Sequence, residues 1–248
     1  MQSVVKGIMP PATVAIVCPR EFKFTDHEAS IERPVLAGVA DVSTVWLDFN
    51  DPFPEQVLGA DALILWHGPR VTADVVAGLK RCRAIVLGSV GVDSVDVKAA
   101  TERGLPVTNC PDTFIEEVAD HAMTLLLSSF RRVIEQDRMV REGRWSEGRP
   151  ALLQIPRLLG QTLGLIAFGH VARAVAKRAK AFGLRVIAYD PFIEELVMVE
   201  HGVVPVTLEE VLSQSDFVSM HAPATPEAEG MLMEKHFRLM KPTAIFIN

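Results

Sequence analysis

From Thr162 the chain reads Thr-Leu-Gly-Leu-Ile-Ala-Phe-Gly-His-Val-Ala-Arg, then an Ala/Lys/Arg-rich helical stretch, then Leu-Arg-Val-Ile-Ala-Tyr-Asp190. These residue types can hold a phosphate and a sugar. Residues 163–168 have the apolar character of a buried strand, and Gly169 lets the backbone come close to a pyrophosphate. A helix opening at His170 and Val171 aims backbone N–H groups and the positive end of its dipole at that anion. Asp190 ends the next strand, where a carboxylate accepts hydrogen bonds from the 2′- and 3′-hydroxyls of an adenosine ribose. A 2′-phosphate there would meet like charge, so the chemistry favours NAD over NADP.

The glycine pattern is incomplete. Laid on Gly-x-Gly-x-x-Gly, the three positions hold Ala167, Gly169 and Ala172. Alanine at the third position suits close packing of helix on strand, whereas Ala167 asks a tight turn to accept a methyl group. The context of strand, turn, helix and later acid is what raises the motif above a strand–helix–strand unit without a ligand.

A second stretch, Ser89-Val-Gly-Val-Asp-Ser-Val-Asp96, puts a small-residue loop at the carboxyl end of a strand and ahead of a helix, where doubly wound sheets take ligands. The backbone N–H groups of Val90 and Gly91 can hold a small carboxylate there. A tight strand–helix turn uses the same residues for steric reasons alone.

These segments sit in a pattern of short β-branched runs alternating with helices, repeated twice, which predicts two doubly wound parallel sheets. Strands are expected near 14–18, 42–49, 62–66, 84–87 and 106–108, and again near 163–168, 185–189, 203–205, 217–221 and 244–247. Helices are expected over 72–79 and 95–103. A long linking helix is expected over 113–142, begun by a capping box in Thr113-Phe-Ile-Glu116. Thr207-Leu-Glu-Glu210 repeats that signal, and Pro226 reads as a helix-opening proline. The expected division is therefore residues 1–112 and 113–248. Arginines from Arg131 to Arg157 are interleaved with Glu135, Asp137, Glu142 and Glu147, the composition of a solvated face or a subunit contact.

Bulk properties narrow the classes. The 248 residues are 49% hydrophobic with a net charge of −6, enough for buried cores and without the basic footprint that nucleic acid or an anionic membrane would need. No signal-peptide pattern and no long uncharged apolar run appears, which predicts a cytoplasmic protein. Cys18, Cys82 and Cys110 lack metal-ligand spacing and read as reduced core thiols.

Taken together, the loop at 89–96, Asn109-Cys-Pro111, Glu116-Glu-Val-Ala-Asp-His-Ala122, the 162–172 turn, Tyr189-Asp-Pro191, His221-Ala-Pro223 and Met240-Lys-Pro…Ile-Asn248 resemble the D-isomer-specific 2-hydroxyacid dehydrogenases. The phosphoglycerate dehydrogenase-like branch is the most similar. The resemblance implies an amino-terminal flavodoxin-like substrate domain and a Rossmann NAD domain. It implies that Gly169, His170 and Val171 face the pyrophosphate, Asp190 the ribose, and Ala222 and Pro223 the cofactor near the hinge. Val90 and Gly91 would face the nicotinamide and the substrate carboxylate. Trp66 and His67 fall where relatives contact substrate, although Trp66 also reads as a core aromatic.

The implied reaction is hydride transfer between NAD and a small 2-hydroxy or 2-keto acid, and the resemblance also implies a homodimer. In that family an arginine, a glutamate and a histidine do the anion-gripping and proton transfer, and all three are expected beyond Asn248. The chain is accordingly expected to be truncated and inactive alone, with no catalytic residue of its own. The second reading is an NAD(H)-sensing module like the C-terminal-binding-protein corepressors, suggested by Trp66-His67 with Thr72, Arg141-Glu-Gly143 and Ala179-Lys-Ala-Phe-Gly183.

Overall fold

A computed structural model describes residues 11–20, 29–66, 68–225 and 227–248. Contacts among these residues divide the chain after Thr113 into two compact units. His27, His67 and Pro226 lie outside the described residues.

The first unit runs β1 (Ala12–Pro19), α1 (Glu32–Leu36), β2 (Ala40–Leu47), α2 (Glu55–Leu58), β3 (Ala62–Leu65), α3 (Ala73–Gly78), β4 (Ile85–Leu87), α4 (Val97–Glu102) and β5 (Val107–Thr108). Its strands form one parallel sheet in the order β2-β1-β3-β4-β5. Their apolar runs are explained by burial on both faces: Ala15, Val17, Leu63, Leu65, Ile85 and Leu87 sit in one core with Val57, Val76 and Ala100 from the helices, and Ile16, Cys18 and Ile64 sit in a second cluster. Thr72 and Asp96 cap α3 and α4 by accepting from the N–H groups of Val75 and Ala99.

The second unit runs α5 (Ile115–Phe130), α6 (Val133–Arg141), α7 (Trp145–Leu153), β6 (Thr162–Ile166), α8 (His170–Ala181), β7 (Arg185–Tyr189), α9 (Glu195–Glu200), β8 (Val204–Pro205), α10 (Leu208–Gln214), β9 (Phe217–Met220), α11 (Glu234–Phe237) and β10 (Ile245–Ile247). Its parallel sheet has the order β10-β9-β6-β7-β8. β6 is buried along its whole length. On one face α5 and α8 close over it through Met123 and through Ala119, Ala122, Ala172, Ala176 and Ala179, whose small side chains let the helices approach. On the other face α10 comes so close that a side chain on Gly164 would strike Ser215 and Val211.

Each sheet carries the same latch at the amino end of its central strand. Asp61, just ahead of β3, accepts from the Thr13 N–H and hydroxyl and pairs with Arg81. Asp216, just ahead of β9, accepts from the Thr162 N–H and pairs with Lys241.

Three expectations need correction. The single linking helix is two helices, because Arg132 takes a left-handed φ of 52° between α5 and α6. The Thr113–Glu116 capping box does not form: Phe114, at a φ of 63°, is the residue before α5, and Glu116 instead pairs with Arg178 of α8 at 2.5 Å. Of the cysteines, Cys18 is buried and Cys82 half-buried, but Cys110 is exposed and is no core thiol. The second capping box, Thr207 with Glu210, is formed as the sequence predicts.

Candidate functional site

The β6–α8 turn is built to leave space. Ala167 has a φ of 69°, the left-handed conformation that glycine adopts freely and that costs an L-residue on the order of 1–2 kcal/mol. Gly169 departs from the usual reason for glycine: its φ is −72° and a Cβ on it would meet nothing within 4 Å. Neither backbone conformation nor internal packing requires glycine there, so what it keeps open is room outside the chain. No side chain caps α8, whose first turn therefore directs its backbone donors into that room.

Asp190 stands beside this turn, half-buried at the end of β7. Its Oδ2 accepts from the Phe168 N–H at 2.8 Å, and its Oδ1 accepts from the N–H groups of Phe192 and Ile193 at 2.8 and 3.2 Å. Three backbone donors thus fix the carboxylate, which keeps further lone pairs for a ligand. Arg173 holds the other side of the turn, its Nε donating to the Phe168 carbonyl at 3.1 Å.

A cavity of about 580 Å³ opens at the same sheet edge and brings Ala167, Asp190, Ala222 and Pro223 together. Its remaining walls include Tyr189, Leu208 and Met231. A mostly apolar slot for a flat base, a fixed carboxylate on its wall and an uncapped helix start beyond a bare glycine fit an adenine dinucleotide in chemistry and in order. Gly169, His170 and Val171 would take the pyrophosphate, Asp190 the ribose, and Ala222 and Pro223 the cofactor's further part.

In the first unit, the Val90 and Gly91 loop is held by its neighbours. The Asn109 Nδ2 donates to the Val90 carbonyl at 2.7 Å, and the Ser89 hydroxyl to the Gly91 carbonyl at 2.9 Å. With the carbonyls engaged this way, the N–H groups of Val90 and Gly91 have no partner among the described residues. Asp93 leans on Gly91, with Oδ1 at 2.6 Å from where a Cβ would be, so an anion held there needs that carboxylate turned away. Trp66 is half-buried in a cluster with Ile16, Cys18 and Ile64, its Nε1 donating to Glu32 at 3.3 Å. Burial, with Glu32 adding to it, pushes the Cys18 thiol up to about 11.

The family model for the D-isomer specific 2-hydroxyacid dehydrogenase NAD binding domain matches residues 123–248, just over half the chain, and this range contains the turn, Asp190, Ala222 and Pro223. The chain belongs to the D-isomer-specific 2-hydroxyacid dehydrogenase family. It is 42% identical over 195 residues to a glyoxylate reductase of Korarchaeum cryptofilum, covering 78% of this chain and 59% of that one. To a D-3-phosphoglycerate dehydrogenase of Methanocaldococcus jannaschii it is 34% identical over 223 residues, covering 90% and 42%. Among solved structures, D-lactate dehydrogenase from Aquifex aeolicus complexed with NAD and lactic acid matches with a TM-score of 0.82 at 25% identity, over 95% of this chain and 68% of that one. The chain thus spans about 59% of the length of the glyoxylate reductase it matches. These matches are reductases and dehydrogenases, and they do not support the corepressor reading.

As a 2-hydroxyacid dehydrogenase NAD domain, the second unit holds two contacts that the sequence did not show, although His221 itself stood out in it. That of Arg173 with the turn is one. The other is the pair of Ser219 and His221, whose Oγ and Nε2 are 2.9 Å apart. Burial pushes the His221 imidazole down to about 4, so it is neutral near pH 7. Its backbone N–H donates to the Ile166 carbonyl, tying the Ala222–Pro223 wall to the end of β6. No helix among the described residues is long and apolar enough to cross a membrane.

Proposed function

We propose that these residues belong to an NAD-dependent reductase of small 2-keto acids, such as glyoxylate, in which the second unit binds the cofactor and the first contributes to the substrate site. The observation that carries the reading is the bare Gly169 with the fixed Asp190 carboxylate beside it: a glycine the fold does not need, next to an acid at the place of a ribose. When bound, NADH supplies the hydride. The chain's own residues bind and orient: the N–H groups of Val90 and Gly91 offer donors to a substrate carboxylate, and Trp66 and His67 are assigned to the substrate side. The 42% identity to a glyoxylate reductase supports a small substrate. A cytoplasmic homodimer is proposed with it, and exposed apolar residues on α6 and α7 of the second unit, Ile134, Trp145 and Leu153, support the self-association.

His221 is not assigned the acid/base role. Its imidazole is half-buried and spent on Ser219, and a proton carrier for the hydroxyl must reach the substrate. The test is NADH consumption by the gene product that contains these residues, with glyoxylate, hydroxypyruvate and pyruvate in turn. Turnover of at least one is expected. NADH binding without reduction of any of them contradicts the reading.

A further inference from the structure

We infer that Asp190 is also the positioning residue of the pyrophosphate turn, so that one carboxylate governs both halves of the cofactor site. This rests on the reading of the second unit as an NAD site. It goes beyond a ribose contact because the carboxylate is already engaged with the turn: its Oδ2 takes the N–H of Phe168, the residue between Ala167 and Gly169.

Three features make that engagement consequential. Ala167 is held in a left-handed conformation that an alanine leaves when nothing compels it. The turn's other bonds are of two kinds: the Ala167 N–H donates to the backbone carbonyl of Tyr189, the last residue of β7, and Arg173, from α8 itself, holds the Phe168 carbonyl. Among the described residues Asp190 is the side chain outside the β6–α8 segment shown bonding to residues 167–169. Its second oxygen is tied to Phe192 and Ile193, so the carboxylate cannot follow the turn if the turn shifts. The acid is thus a fixed post, and the backbone of Phe168 is hung on it one residue before the glycine that meets the anion. Losing the post lets Ala167 relax, which moves Gly169 and the start of α8 away from the phosphate position.

The two roles separate with a ligand that has no adenosine. Reduced nicotinamide mononucleotide carries the nicotinamide, one ribose and one phosphate, and offers nothing to an adenosine-ribose site. Its affinity for the 248-residue chain, read by nicotinamide fluorescence beside that of NADH, is compared between the native protein and Asp190→Asn and Asp190→Ala. If Asp190 positions the turn, both ligands weaken, the mononucleotide by about tenfold, the equivalent of one charge-assisted hydrogen bond. Adding Ala167→Gly, which removes the tendency of the turn to relax, is expected to restore part of the mononucleotide affinity in Asp190→Asn. A second readout needs no ligand: the Phe168 amide is protected from hydrogen exchange in the native chain and loses that protection in Asp190→Asn while β6 and α8 stay protected.

Unchanged mononucleotide affinity with weakened NADH, or unchanged Phe168 protection, overturns the inference and leaves Asp190 a ribose contact alone. Failure of the native chain to bind NADH defeats instead the NAD reading on which the inference rests.

Discussion

The Phe168 N–H and the Asp190 carboxylate are joined at 2.8 Å across the carboxyl ends of two adjacent parallel strands, β6 and β7. Strand order puts these ends side by side, because β6 is the central strand and β7 the one reached by the first crossover. The bond therefore ties the β6–α8 turn to an acid 22 residues away in sequence, and it gives a turn with alanine in place of its first glycine an anchor on the neighbouring strand.

Ala167→Gly is expected to stabilise the second unit by about 0.5–1 kcal/mol, the relief of the left-handed strain less the entropy glycine adds to the unfolded chain. Urea unfolding of the variant against the native protein measures it. A loss of stability would mean that the alanine methyl contributes packing greater than its strain.

His221 predicts an acid-side dependence. Burial holds its imidazole down to about 4, whereas in the unfolded chain it returns to about 6.5. The unfolded chain then takes up a proton that the folded one refuses, so this contribution is complete above about pH 6.5 and is lost as pH falls towards 4. The loss between pH 7 and pH 5 is on the order of 2 kcal/mol. Urea midpoints at the two pH values should show it, and His221→Gln should flatten the slope. A native protein with equal midpoints would place the imidazole in water.

The two latches predict separable defects. The Thr13 N–H, its hydroxyl and Arg81 hold the Asp61 carboxyl below the usual carboxylate range. The stability it gives is present above the unfolded carboxylate pKa, near 4, and is lost as pH falls through the lower folded value. Asp61→Asn should therefore blunt the acid unfolding of the first unit and leave the second untouched. Asp216→Ala, which strands the Thr162 N–H and Lys241, should cost the second unit about 1–2 kcal/mol. Amide exchange resolved by residue distinguishes the units, and a defect appearing in both for either variant would contradict the assignment of each latch to its own sheet.

Arg178 tests the packing of α5 on α8. Its guanidinium pairs with Glu116 at 2.5 Å and Asp120 at 2.7 Å, but both acids are largely exposed. Arg178→Met is expected to cost no more than about 1 kcal/mol, since the apolar contacts beneath carry the helix pair. A larger loss in urea unfolding would show that the ion pairs do more than the alanine-rich face.

What the sequence made legible follows from which signals are local. Ten strands appear where apolar runs predict them, with ends shifted by one or two residues, because a parallel strand buried on both faces must be apolar throughout. The Thr207 box formed because both its partners lie in one turn of chain. The Thr113 box failed because Glu116 had a partner in α8 that no local pattern shows. The break at Arg132 was hidden for a related reason: the flanking residues have no glycine or proline to mark it, and only the left-handed φ reveals it. At the site, Gly169 and Asp190 could be read from spacing, and Ala167 stood out as the misfit it is. The Phe168–Asp190 bond, the Arg173 contact and the Ser219–His221 pair are products of strand order, and no periodicity carries them.

Calorimetric titration of the folded chain with NADH and NADPH tests the central claim most directly. NADH is expected to bind with measurable heat, and NADPH more weakly by on the order of a hundredfold, since its 2′-phosphate meets the Asp190 carboxylate. No heat with either coenzyme, or equal binding of both, would contradict it.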